Sequence, residues 1–185
     1  GQNVTVANGE LVITAENKNG GYACWYGPCE YTSTRMTTKA KQEFKYGRVE
    51  TRMKLPTGQG LWPAFWMLPQ DKTWPPEIDI MEILGDKPNL AYTTLHWGQE
   101  NNSTSKVFKG PDFSADFHTF AVNWQPGLII WYIDGVEVFR TTTNTPDKAM
   151  YVILNLAVGG AWPGSPDAST VFPSTFDVDY VRVWQ

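Results

Sequence analysis

Three acidic residues, Glu77, Asp79 and Glu82, stand inside the otherwise apolar run Glu77-Ile78-Asp79-Ile80-Met81-Glu82-Ile83-Leu84. Burying a carboxylate among isoleucines costs free energy unless it faces water, a partner or a substrate. An extended strand meets that demand by alternation, sending Glu77 and Asp79 to one face and Ile78 and Ile80 to the other. Glu82 is out of parity, and a regular strand would turn it away from its companions. One inserted residue, a β-bulge at or near Met81, returns it to their side. The three acids would then line one face. The alternative is a solvated strand face, but the interleaved Ile, Met and Leu speak against it. Two carboxyl groups flanking a scissile bond are what glycoside hydrolysis requires.

Tryptophans surround the acids. Gly60-Leu61-Trp62-Pro63-Ala64-Phe65-Trp66-Met67-Leu68 precedes them, and His96-Trp97-Gly98 and Gly159-Gly160-Ala161-Trp162-Pro163-Gly164 follow. Flat aromatic rings match the apolar C–H faces of pyranose sugars, and an indole keeps a polar N–H for a partner. Taken together, these stretches resemble the laminarinase branch of glycoside hydrolase family 16. That family carries Glu-x-Asp-x-x-Glu in its bulged form and Glu-x-Asp-x-Glu in its unbulged form. Glu77, Asp79 and Glu82 match the bulged form, and the resemblance runs from about Asn3 to Gln185.

The resemblance implies roles. Glu77 would be the nucleophile and Glu82 the acid/base of a retaining mechanism, with Asp79 between them hydrogen-bonding and modulating Glu77. Trp62, Trp97 and Trp162 would line the cleft. Trp66 shares parity with Trp62, although Pro63 intervenes, and stands between cleft and core. His96 would lie close to the acids, the alternative being a satisfied strand histidine. Asn155, which interrupts the apolar run Val152–Val158, is either a sugar-binding amide or a structural one, since a buried amide requires partners. Arg52 reaches either a sugar hydroxyl or a surface ion pair. A structural calcium on the convex face is implied as an option, with Asp179 giving its carboxylate and Gly47 its carbonyl. No cofactor is expected for the catalysis itself. Members of the family carry an earlier strand and long loop before the part matching Asn3-Val4-Thr5-Val6, and that segment is expected to be absent here.

The elements that must hold these residues read as strands. Apolar alternation dominates, with no convincing helical period. Val4–Val6 and Leu11–Thr14 flank Asn8-Gly9, a hairpin signal. Further strands are predicted at 47–55, 91–97, 117–124, 128–133, 136–140, 150–158 and 176–184. Pro126-Gly127 and Asp134-Gly135 mark turns, and 159–174 reads as a surface loop. Many short strands without βα alternation imply a two-sheet antiparallel sandwich. The resemblance makes this more specific: an all-β, concanavalin-like jelly roll with a concave substrate cleft, filling 1–185 as one catalytic domain.

With 185 residues the chain can bury a sizeable core. A formal charge of −4 gives no electrostatic reason to expect nucleic acid or an anionic membrane. No apolar run reaches membrane-spanning length. The basic stretch from Arg35 to Lys54 reads as a solvated face, or as a patch for an anionic polysaccharide. Cys24 and Cys29 enclose Trp25-Tyr26-Gly27-Pro28. The Gly-Pro turn favours a small disulfide loop, the alternative being two free thiols, and a disulfide fits an extracellular compartment. The expected protein is a secreted, monomeric endo-β-1,3-glucanase, with mixed β-1,3-1,4-glucan as an alternative substrate. Its rivals are a β-galactan hydrolase of the same family and a non-catalytic carbohydrate-binding module. Two intact glutamates argue against the module.

Overall fold

The computed structural model describes residues 2–185. Its regular elements are strands: β1 Val4–Ala7, β2 Glu10–Cys24, β3 Gly27–Thr32, β4 Arg35–Thr37, β5 Gly47–Lys54, β6 Leu61–Pro69, β7 Glu77–Ile83, β8 Leu90–Trp97, β9 Asn102–Lys109, β10 His118–Gln125, β11 Leu128–Ile133, β12 Val136–Thr141, β13 Met150–Val158 and β14 Ser174–Trp184. They pair antiparallel into two sheets. One runs β1-β2-β14-β5-β10-β11-β12, with β3 beside β2; the other runs β4-β13-β6-β7-β8-β9. Among the described residues no helix is long and apolar enough to cross a membrane.

Local chemistry explains the connections. Asn8 and Gly9 both adopt left-handed φ, 54° and 84°, and join Ala7 to its partner Glu10. That is the geometry a two-residue hairpin of matching twist needs. Asp134 and Gly135 do the same between β11 and β12, at φ 49° and 76°. Period-2 burial follows in the strands. On β11, Ile129, Trp131 and Ile133 enter the core while Leu128, Ile130 and Tyr132 do not. From the facing sheet come Phe65 and Met67 of β6, and Ile78, Ile80, Met81 and Ile83 of β7. Trp124 is fully buried, and its Nε1 donates to the Pro146 carbonyl at 3.0 Å, so the indole enters the core with its polar atom satisfied.

Strands β3, β4, β6 and β9, and the long extension of β2, go beyond the predicted elements. The β9 sequence Asn-Ser-Thr-Ser-Lys-Val-Phe-Lys has no apolar alternation because β9 is an edge strand, mostly exposed and carrying Lys106 and Lys109. Such residues discourage further strand pairing. The Cys24–Cys29 disulfide is formed and closes the tip of the β2–β3 hairpin. Strand β7 lies inside its sheet between β6 and β8, so both of its edges are hydrogen-bonded and its shape is set by its neighbours.

Candidate active site

The register of β7 breaks at one place. Against β8, Asp79 pairs with Thr94 and Glu82 with Tyr92, leaving Ile80 and Met81 opposite a single position. Against β6, Asp79 pairs with Trp66, and Met81 and Glu82 with Phe65 and Ala64. The extra residue sends both Ile80 and Met81 into the core, at 1% and 0% exposure. Glu77, Asp79 and Glu82 consequently share the other face and line one cleft. From the core side, Trp131 Nε1 donates to the Asp79 carbonyl at 2.8 Å. Strand β11 of the opposite sheet thus holds the backbone at the edge of the bulge.

The cleft crosses the six-stranded sheet and has two arms that meet at the acids. The arm toward β13 and β4 encloses about 490 Å³ and is walled by Tyr31, Arg35, Trp62, Trp66 and Asn155. The arm toward β8 and β9 encloses about 390 Å³ and is walled by Tyr92, His96, Ser103, Ser105 and Trp162. Trp62 touches both, and its Nε1 donates to Glu82 Oε1 at 3.1 Å. Trp162, 42% exposed in its loop, meets Trp62 edge-on at 5.2 Å and Tyr92 at 4.9 Å. Trp66 Nε1 donates to Asn155 Oδ1 at 2.7 Å, so that pair occupies one stretch of wall.

Each acid has its own surroundings. Trp74 Nε1 donates to Glu77 Oε2 at 2.7 Å. Asp79 is 2% exposed, and its Oδ2 lies 3.2 Å from His96 Nε2 without an aligned hydrogen bond. Burial pushes the Asp79 carboxyl up, and the imidazole beside it pulls it partly back. His96 is itself raised to about 8, chiefly by Asp79, while Asn101 Oδ1 lies 3.1 Å from the other ring nitrogen. Burial, helped by the Asp79 charge, pushes Glu82 up to about 8. Glu82 is therefore protonated at neutral pH and able to donate.

The structure thus brings Glu77, Asp79, Glu82, Trp62, Trp66, His96, Asn155 and Trp162 to one cleft. It does not bring Trp97. Pairing of His96 with Glu77 turns His96 to the cleft, so the next residue turns inward, and Trp97 packs against the core. Arg52 is elsewhere too. It lies on β5 in the other sheet, bonds Asp179 at 2.8 Å and stacks over Phe117 at 4.7 Å, the ion-pair alternative of its reading. The cleft arginine is Arg35, 4.7 Å over the Trp66 ring. The calcium set also fails to assemble. Asp179 sits beside Arg52 and is bonded to it, whereas Gly47 lies at the far end of the same ladder, beyond the Trp184–Arg48 pair. Gly47 and Asp179 do not converge on one ion.

Among the described residues, the cluster with metal-ligand proximity is Glu77, Asp79 and His96, whose donor atoms lie within 4.8 Å of one another. There the Asp79–His96 pair already balances charge. Trp74, Tyr31 and Tyr92 are site residues beyond the sequence-based expectations, and Arg35, expected only as part of the basic stretch, is a cleft residue too. Trp74 precedes the acids by only three residues, which was an available signal. For Arg35 the signal is the pairing of β4 with β13, which places it opposite Asn155.

Comparison with known proteins shows what the whole chain is similar to. Residues 1–182 match the family described as Glycosyl hydrolases family 16. The chain is 39% identical to glucan endo-1,3-beta-glucosidase A1 of Niallia circulans, covering 100% of this chain and 31% of that protein. It is 36% identical to a beta-glucanase of Rhodothermus marinus, covering 100% of this chain and 71% of that one. The catalytic domain of an endo-1,3-beta-glucanase (laminarinase) from Thermotoga petrophila RKU-1 superposes with a TM-score of 0.94 at 40% identity, covering 100% of this chain and 81% of that one. The chain therefore spans less than a third of the first relative's length and most of the other two.

Proposed function

The chain belongs to glycosyl hydrolases family 16, and from that premise we propose that it hydrolyses internal β-1,3 bonds of β-glucan by double displacement with retention of configuration. The observation that carries this is the Ile80–Met81 bulge, which sets Glu77 and Glu82 on one face of one cleft in unlike environments. Glu77 accepts from a neutral indole donor and is half-buried where it lines the cleft. Glu82 is kept protonated by burial and by the Asp79 charge. A carboxyl group kept protonated by its surroundings, beside a second carboxyl group in one cleft, is the working arrangement of a retaining glycosidase.

In the first step, a Glu77 oxygen attacks the anomeric carbon while Glu82 gives its proton to the departing glycosidic oxygen. The C–O bond breaks, and a glycosyl ester forms on Glu77. Loss of its proton leaves Glu82 a base, which then takes a proton from an incoming water. That water displaces Glu77 from the anomeric carbon, and both carboxyl groups return to their starting states. Asp79 and His96 hold the charge beside Glu77, and Trp62 aims Glu82 by its N–H. Trp66 and Asn155 on one side, and Trp162 and Tyr92 on the other, offer ring faces and amide groups to the sugars flanking the cleaved bond.

The names of the relatives support glucan as the substrate class. A disulfide and a polymeric substrate support action outside the cell. The test is reducing-sugar release from laminarin, lichenan and agarose side by side. Release from laminarin with none from agarose is expected. Cleavage of agarose alone would move the reading to a β-galactanase, and binding without release would move it to a carbohydrate-binding module.

A further inference from the structure

The tip of the β2–β3 hairpin lies outside the cleft and has the features of a binding surface. Trp25 is 95% exposed, Tyr26 68% and Tyr22 43%. Single exposed aromatics are ordinary on a protein surface. Here Trp25 and Tyr26 stand on a turn that the Cys24–Cys29 disulfide closes, with Cα atoms 5.8 Å apart, and Tyr22 lies just before it on β2. The Tyr26 ring meets Trp25 edge-on at 5.2 Å, and its hydroxyl lies 3.6 Å from Cys29 Sγ, so these two rings brace one another. Rings fixed in advance lose less freedom when a ligand arrives.

The hairpin is continuous with the cleft wall. Two residues after Cys29 the same strand reaches Tyr31, which with Arg35 walls the larger arm of the cleft. A chain leaving that arm along β3 would meet the tip. No residue from Gly20 to Cys29 carries a charge, which suits a neutral glycan and not an anionic one. We propose that the Cys24–Cys29 hairpin tip is an outlying glucan-binding platform, on which Trp25 and Tyr26 stack pyranose rings of the chain that runs out of the cleft past Tyr31. The proposal rests on the glucanase reading above. It adds a hold on polymer at a distance from the bond being cut, so its effect depends on substrate length.

The experiment compares wild type, Trp25→Ala and Trp25→Ala/Tyr26→Ala on laminarin and on a β-1,3-linked glucose tetramer, with mobility in laminarin-containing native gels as a readout independent of turnover. The variants should raise KM for laminarin about threefold or more, as loss of a stacked ring would, with kcat and all tetramer kinetics unchanged and with reduced gel retardation. Unchanged laminarin KM and retardation would overturn the platform, as would equal losses on polymer and tetramer. Unchanged retardation with a sedimentation coefficient that falls in the variant would overturn it in favour of a second copy of the chain as the occupant. A wild type that releases no sugar from laminarin would defeat the proposed function, whereas an active wild type with unaffected variants would defeat the platform alone.

Discussion

Trp131 donates its indole N–H to the backbone carbonyl of Asp79 at 2.8 Å, through the core and from the opposite sheet. The bond ends where the β7 register breaks, so a fully buried core residue secures the backbone that presents the acids. Trp131→Phe removes the donor and leaves that carbonyl unsatisfied in an apolar surrounding, a cost of about 1–3 kcal/mol in stability. It should also lower kcat by about tenfold or more by loosening the acids. Trp124→Phe is the control, since it loses an equally buried donor to Pro146 away from the acids. Thermal melts and laminarin kinetics should give two destabilised variants, of which only the Trp131 one loses kcat.

The alkaline limb of activity should follow Glu82, whose pKa is raised to about 8. A general acid must be protonated, so kcat/KM falls as pH rises through that value. The Trp62 N–H favours the charged form of Glu82 and holds this limb down. Trp62→Phe should therefore move the limb to higher pH, and a pH–rate profile checks the direction. A shift to lower pH would mean that Glu82 is not the group being read.

The same raised pKa has a stability consequence of opposite use. Folded Glu82 holds its proton more tightly than the unfolded chain does, from a starting value of 4.5. Its stabilising contribution is complete below 4.5 and is lost as pH rises through about 8. Glu82→Gln cannot ionise, so it should gain stability relative to wild type on the order of 1–3 kcal/mol at pH 9 and little at pH 4. Melting temperatures at the two pH values test this, with the inactive variant clearly the more stable one at pH 9 and not at pH 4.

Two arginines separate cleft from surface. Arg35 lies over Trp66 in the larger arm, and Arg52 is paired with Asp179 on the other sheet. Arg35→Ala should raise KM for laminarin about fivefold or more through the loss of packing and of a donor. Arg52→Ala should leave kinetics unchanged and cost at most about 1 kcal/mol, the worth of an exposed ion pair.

Much of this was legible in local pattern. The Glu77–Glu82 spacing demanded a bulge, and β11 and β13 run over the predicted residues, Leu128–Ile133 and Met150–Val158. Alternation and turn dipeptides are local signals, so they survive without knowledge of partners. What escaped was set by partners. Arg35 enters the cleft because a three-residue strand pairs with β13 at Asn155, and no periodicity announces so short a strand. Trp74 acts from outside any strand, where alternation says nothing. Trp97 packs against the core and not in the cleft, as strand parity in the sequence already requires. His96 and Trp97 are adjacent in one strand and cannot both face the acids. The pairing of Gly47 with Asp179 rests on resemblance alone, and the β5–β14 register keeps the two apart.

The most direct test of the central claim uses azide with the two glutamate variants on an aryl β-glucoside of a short β-1,3-glucan. In Glu77→Ala, azide takes the place of the nucleophile and should yield the glycosyl azide of inverted, α configuration. In Glu82→Ala, Glu77 still forms the glycosyl ester, and azide replaces the water to yield the β-azide. Proton NMR of the anomeric signal distinguishes the two. The α-product from Glu77→Ala with the β-product from Glu82→Ala is the predicted result; the reverse assignment, or no azide product from either, would contradict it.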